Sequence, residues 1–114
     1  MARQSILDMD FDRVYTLLVQ KAERKGRTRE EVDTVTSWLT GYTKQQLASC
    51  SGMTYGEFFR NAPKIHPSAD KITGKVCGVQ VETIEDPVMR NIRRLDKLVD
   101  ELAKGRPMEK VLRQ

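Results

Sequence analysis

The sequence predicts a mainly α protein: a single small domain of five or six helices with a short extended or β-hairpin segment near residues 71–84. Three observations carry that prediction. Apolar residues recur at three- and four-residue spacing through several stretches, each introduced by an oxygen-bearing side chain suited to capping a helix. Only residues 71–84 depart from this pattern, with β-branched residues in strand-like alternation. The length, 114 residues with 39% hydrophobic, supports one core burying roughly two-thirds of the unfolded surface, without disulfides or metal.

Taken in order, the first helix is expected from about Asp10 to Lys25, because Phe11, Val14, Tyr15, Leu18 and Ala22 share one face and Gly26 ends it. Residues 1–8 are expected to be a flexible N-terminus. The second helix starts at Thr28, with Glu31 completing a T-x-x-E capping box, and its stripe of Val32, Val35, Trp38, Leu39 and Tyr42 is interrupted by Gly41 as the C-terminal break. Thr43 with Gln46 opens a short third helix that turns Leu47 inward, and Thr54 with Glu57 opens a fourth that places Phe58 and Phe59 before Asn61 and Pro63. Residues 62–70 read as loop, since Pro63 and Pro67 interrupt any ladder. Ile72, Val76, Val79, Val81 and Ile84 then suggest the hairpin, with Gly74 and Gly78 available for a turn or bulge. Asp86 as N-cap and Pro87 at the first helical position start the strongest helix, which runs to Ala103. Its stripe of Val88, Ile92, Leu95, Val99 and Leu102, widened by Met89 and Leu98, is broad enough for a globular core. Pro107 introduces a last short helix with Met108, Val111 and Leu112.

Several classes of function drop out on composition. The apolar run Leu17-Leu18-Val19 is far shorter than the ~20 residues of a membrane span. Asp8, Asp10 and Asp12 stand where a signal peptide needs its apolar segment, so a cytoplasmic protein is expected. Cys50 and Cys77 form no C-x-x-C pair and suit a reducing compartment. The net charge of +4 falls in the second half of the chain, and no repeat, low-complexity tract or linker is apparent.

Five stretches resemble one family. They are Lys21-Ala22-Glu23-Arg24-Lys25-Gly26-Arg27-Thr28, Ser37-Trp38-Leu39-Thr40-Gly41-Tyr42, Ile72-Thr73-Gly74-Lys75-Val76-Cys77-Gly78-Val79, Ile84-Glu85-Asp86-Pro87, and the run from Leu95 to Gly105. With their neighbours they span residues 6–113, and in this order the chain resembles the bacterial family called domain of unknown function twenty-two hundred. The resemblance implies a small, mostly helical bacterial domain, and it brings no catalytic residue, cofactor or partner with it. The stretch Asp8-Met9-Asp10-Phe11-Asp12 stands apart from the family pattern.

Constellations that could carry chemistry are few. The aspartates at 8, 10 and 12 imitate the opening of a calcium loop, but Arg13 and Val19 occupy the positions that need glycine and a bidentate glutamate. Acids complementing a helix N-terminus explain them more simply. His66, Cys50 and Cys77 have no metal-ligand spacing, so neither metal nor cofactor is expected. A Cys77–His66 nucleophile–base pair is conceivable at a glycine-flanked turn, yet no third group orients it. Gly74-Lys75-Val76-Cys77-Gly78 lacks the spacing of a phosphate loop.

Two surfaces are left. Arg90, Arg93, Arg94, Lys97 and Lys104 are expected on the side of the long helix opposite its apolar stripe, with Asp86–Arg90 and Asp100–Lys104 pairs and Glu101 among them. No aromatic residue is interleaved to stack on bases, so a solvated, self-paired face is favoured over nucleic-acid binding. Trp38, Tyr42, Tyr55, Phe58 and Phe59 crowd the middle third, and a groove of Trp38, Tyr42, Tyr55, Phe58 and Cys77 is the expected binding site, with Tyr42 or Tyr55 partly exposed. The reading that follows is a non-catalytic binding or protein-interaction module. Its expected partner is a protein or a second copy, with nucleic acid disfavoured and no membrane. The alternatives are a small enzyme using Cys77 with His66, and non-specific nucleic-acid binding through Arg90, Arg93, Arg94 and Lys97.

Overall fold

The computed structural model describes residues 6–50, 52–76 and 78–113. Along the chain run α1 (Phe11–Glu23), α2 (Arg29–Thr40), α3 (Lys44–Ala48), α4 (Tyr55–Arg60), a two-stranded hairpin of β1 (Lys75–Val76) and β2 (Val79–Gln80), then α5 (Pro87–Ala103) and α6 (Met108–Val111). Helix α5 is the axis. It packs against α1, α2, α4, α6 and β1, and its Ile92, Leu95, Leu98, Val99 and Leu102 are fully buried.

Local chemistry sets the helix starts. Thr28, Thr43 and Thr54 each accept a hydrogen bond from the backbone N–H three residues on, while the side chain of Glu31, Gln46 or Glu57 accepts from the cap's own N–H, so all three capping boxes form. Asp86 caps α5 by accepting from Val88 N–H at 3.1 Å, with Pro87 at the first position. Asp10 precedes α1 without a side-chain cap. A backbone bridge supports it instead: Phe11 N–H donates to Met53 O and Tyr55 N–H to Met9 O, at 2.9 and 2.8 Å. The first turns of α1 and α4 are thereby tied together.

The core is the predicted one in composition. Phe11, Val14, Tyr15, Leu18 and Ala22 of α1 and Val32, Val35 and Leu39 of α2 are buried, while Trp38 is half-buried. Four departures from the sequence reading have physical causes. The flexible stretch expected over residues 1–8 lies partly outside the described residues, and Ile6–Asp8 within it form a 3₁₀ turn, with Leu7 against Gly56 of α4. Pro67 opens a 3₁₀ turn over Pro67–Lys71 inside the expected loop, because its fixed φ suits a first helical position. The hairpin is shorter than its alternation suggests: Val81–Thr83 coil into a 3₁₀ turn that buries Val81. Lastly, α5 is surrounded, so the side opposite its stripe is not all solvated; Arg94 and Glu101 are buried.

Helices α1 and α5 run parallel and in register. Lys21, two residues before α1 ends, pairs with Asp100, three residues before α5 ends, at 3.3 Å, and Arg27 just beyond α1 donates to Arg106 O just beyond α5 at 2.9 Å. Both chains then turn in the same way, at Gly26 and Gly105, whose φ values are 84° and 90°. Arg27 N–H reaches back to Ala22 O, and Arg106 N–H to Glu101 O, over the same five-residue span.

Candidate functional site

Phe58 is the hub of the aromatic cluster. It stacks on Phe11 at 4.3 Å and on Tyr42 at 4.6 Å between ring centroids, and meets Phe59 edge-on at 5.1 Å. Tyr55 and Phe58 are fully buried and Tyr42 is only 7% exposed, so the expectation of a partly exposed Tyr42 or Tyr55 is not met. The cause is the pairing of α1 with α4, which lays Phe11 over Phe58 and closes the cluster from one side. Tyr42 donates its hydroxyl to Phe58 O at 2.7 Å, whereas the Tyr55 hydroxyl has no hydrogen-bond partner among the described residues. Burial pushes the Tyr42 hydroxyl up to about 12 and that of Tyr55 well above the ordinary tyrosine value. Trp38 leaves the cluster and stacks on His66, centroids 4.1 Å apart.

A depression nevertheless adjoins Tyr42. It has a volume of about 490 Å³ and is lined by Tyr42, Thr43, Gln45, Gln46, Ser49, Cys50 and Met53. None of these seven is charged, although 32% of the chain is. Helix α3 builds one wall. Its capping box uses the Thr43 hydroxyl oxygen and the Gln46 side-chain oxygen internally, which leaves the Thr43 O–H and the Gln46 amide N–H groups facing outward chemistry. The Cys50 thiol donates to Gln46 O at 3.2 Å and is pushed up by burial, so it is a packed thiol rather than a ready nucleophile.

The other expected sites fare differently. Cys77 lies outside the described residues. His66 accepts from Ser68 N–H at its Nδ1, 2.9 Å away, and its ring lies on Trp38; the imidazole is held as part of a turn. Along α5, every one of the four named basic residues is engaged within the chain. Arg90 donates to Ile84 O and Glu85 O, Arg93 pairs with Asp96 at 3.0 Å, Arg94 with Asp70 at 2.8 Å, and Lys97 donates to Lys75 O. These contacts pin the hairpin and the 67–71 turn to α5 rather than presenting a charged stripe. Burial raises Asp96, with the Arg93 hydrogen bond opposing it. The expected Asp100–Lys104 pair forms at 3.0 Å, whereas Asp86 is used as a cap. Among the described residues, no three His, Cys, Asp or Glu side chains converge as metal ligands, and no helix is long and apolar enough to cross a membrane.

The sequence reading missed a feature at the end of α1 and α5. Lys25-Gly26-Arg27-Thr28-Arg29-Glu30-Glu31-Val32 and Lys104-Gly105-Arg106-Pro107-Met108-Glu109-Lys110-Val111 share the pattern K-G-R-x-x-E-x-V, and the two corners sit side by side. The repeated Lys-Gly-Arg was the available signal. Beside it opens a hollow of about 600 Å³ lined by residues that include Lys97, Lys104, Arg106 and Lys110 around Asp100 and Glu101. Burial works to raise Asp100, and Lys104 and Lys21 outweigh it, holding its carboxyl below the usual range. Glu101 takes both Arg106 and Arg113.

Comparison with known proteins agrees with this architecture. Residues 5–113 match the model of an uncharacterized protein family conserved in bacteria, DUF2200. The crystal structure of the uncharacterized protein SP1917 is similar at 51% identity and a TM-score of 0.92, over 97% of this chain and 93% of that one. No curated protein matches.

Proposed function

The chain belongs to the DUF2200 family of uncharacterized proteins conserved in bacteria, and from that premise we propose that it is a non-catalytic protein-interaction module. Its docking point is the depression beside Tyr42. One observation carries the reading: in a chain one-third charged, a concave surface lined by seven uncharged residues sets Met53 and the edge of Tyr42 among hydroxyl and amide groups. Interfaces have this composition, with charge depleted at the centre and Met and Tyr enriched. The occupant that fits is an uncharged segment of another protein. It would place an apolar side chain over Met53 and offer backbone groups to Gln45, Gln46 and the Thr43 hydroxyl.

Site-directed photo-crosslinking in the cell tests this. A photoreactive amino acid in place of Gln45 should give one discrete adduct, lost on Met53→Asp, while the same group at Thr16 on the outer side of α1 gives none. Equal adducts at both positions, or an adduct indifferent to Met53→Asp in a variant of unchanged helicity, overturn the proposal. An adduct of twice the chain mass would replace the partner protein by a second copy.

A further inference from the structure

We infer that the paired Lys-Gly-Arg corners at the ends of α1 and α5 form a binding surface for the phosphate backbone of double-stranded nucleic acid, read without regard to sequence. The surface is separate from the depression at Tyr42 and does not depend on it.

Charge placement is the first support. Residues 20–31 and 98–113 hold nine basic and six acidic side chains, so +3 of the chain's net +4 collects at this one end. Fold geometry is what gathers it. The two stretches lie far apart in sequence, and the parallel, in-register packing of α1 on α5 brings them together through Lys21–Asp100 and Arg27–Arg106 O.

Which charges are spent is the second support. Asp100 is matched by Lys21 and Lys104, Glu101 by Arg106 and Arg113, and Glu31 by Arg27. Arg24, Lys25 and Lys110 are exposed and have no acidic partner among the described residues. This is the reverse of the α5 side chains Arg90, Arg93, Arg94 and Lys97, each of which makes at least one hydrogen bond or ion pair inside the chain. The carboxylates of the hollow are matched from within, Lys110 lines it without an acidic partner among the described residues, and Arg24 and Lys25 stand at the neighbouring corner.

The third support is what the corners lack. Gly26 and Gly105 leave open space where a side chain would stand, and the exposed residues around them are mostly cations, Arg24, Lys25, Lys104, Arg106 and Lys110, with the acids Glu23 and Glu109 also exposed. A protein interface needs an apolar centre, an amphipathic membrane contact needs an apolar anchor, and a single strand needs aromatic rings to stack on its bases. None of these is present among the described residues of the corners. A duplex backbone needs only cations at the right end of a rigid body. Because helix ends and turns, rather than a helix side, face the ligand, no element is placed to enter a groove and read base edges.

Fluorescence anisotropy with short labelled duplexes tests the inference, with DNA and RNA in separate arms to distinguish the source of the phosphates. About four phosphate contacts predict a log–log salt slope between about −3 and −4, or roughly a 100-fold loss of affinity from about 50 to about 200 mM salt. Lys25→Glu with Lys110→Glu should weaken binding by more than tenfold, and Lys25→Gln with Lys110→Gln should reduce the slope by about two. Both pairs are exposed side chains, and melting curves establish that the variants are folded. Arg93→Gln should leave affinity unchanged. Absence of binding at low salt, binding indifferent to the Lys25 and Lys110 changes, or tighter binding to poly-glutamate or to vesicles of anionic phospholipid than to either duplex would overturn the inference.

Discussion

Single residues separate two costs of substitution that are often merged. Gly41 and Gly26 both end helices with φ near +80°, but an added Cβ at Gly41 would stand 2.8 and 2.9 Å from Lys64 O and N, whereas at Gly26 it would meet nothing within 4 Å. The segment carrying Lys64 cannot easily retreat, since Lys64 N–H and His66 N–H donate to Thr40 O and Leu39 O. Gly26→Ala should therefore cost only the left-handed backbone term, about 1 kcal/mol. Gly41→Ala should cost about 2–4 kcal/mol, because overpacking against backbone is added. Urea midpoints of the two variants check this, and equal shifts would mean that the 62–66 segment yields freely. The tyrosine hydroxyls give a second contrast. Tyr42→Phe removes a hydrogen bond to Phe58 O and should lose about 1 kcal/mol, while Tyr55→Phe removes a buried hydroxyl with no partner among the described residues and should be neutral or stabilising by a similar amount. A destabilised Tyr55→Phe protein would point to a water on that hydroxyl.

At the scale of elements, short helices depend on their caps more than on their length. Helix α4 has six residues, yet it delivers Tyr55, Phe58 and Phe59 to the core, and its cap Thr54 also lies in the bridge to Asp10. Thr54→Ala should cost about 1–2 kcal/mol in denaturant unfolding and Thr54→Ser much less; equal losses would mean that the methyl group, rather than the hydroxyl, matters. This dependence also explains what was legible in the sequence. Capping boxes, the Asp86-Pro87 start and the stripe of α5 are written in residues three or four apart, and all of them form where the pattern places them. What depends on distant partners was not. Val79 to Glu82 alternate like a strand, but the two-residue ladder from Lys75 to Gln80 ends when Val81 turns into the core. Arg94 and Glu101 read as solvated charges because nothing nearby reveals that α5 is enclosed, with Asp70 and Arg113 arriving from elsewhere to meet them. The candidate surfaces divide on the same line: of the groove residues named from sequence only Tyr42 lines the uncharged depression, whose other walls come from α3 and Met53, and the basic corners become one surface only when α1 and α5 pack in parallel.

For the whole molecule, the tyrosines report the integrity of the fold. The chain has three, Tyr15, Tyr42 and Tyr55, and all are buried in the one core. Burial pushes each hydroxyl above its ordinary value of 10.0; at Tyr15 the hydrogen bond donated to Asp33 adds to the effect. The folded state therefore holds these protons more tightly than the unfolded chain does. The stabilisation this confers is complete below about pH 10 and is lost as pH rises toward and through the folded values, near 12 for Tyr42. An alkaline titration followed by phenolate absorbance and circular dichroism together should show almost no phenolate while the helices persist, then ionisation of all three tyrosines in one step with loss of helicity. Tyr42→Phe should reduce the phenolate amplitude by one-third and flatten the fall of stability between about pH 10 and 12. A single tyrosine ionising reversibly near its ordinary value, with helicity intact, would mean that one wall of the core opens to solvent. Tyr42, at the margin of the depression, is where such an opening would begin.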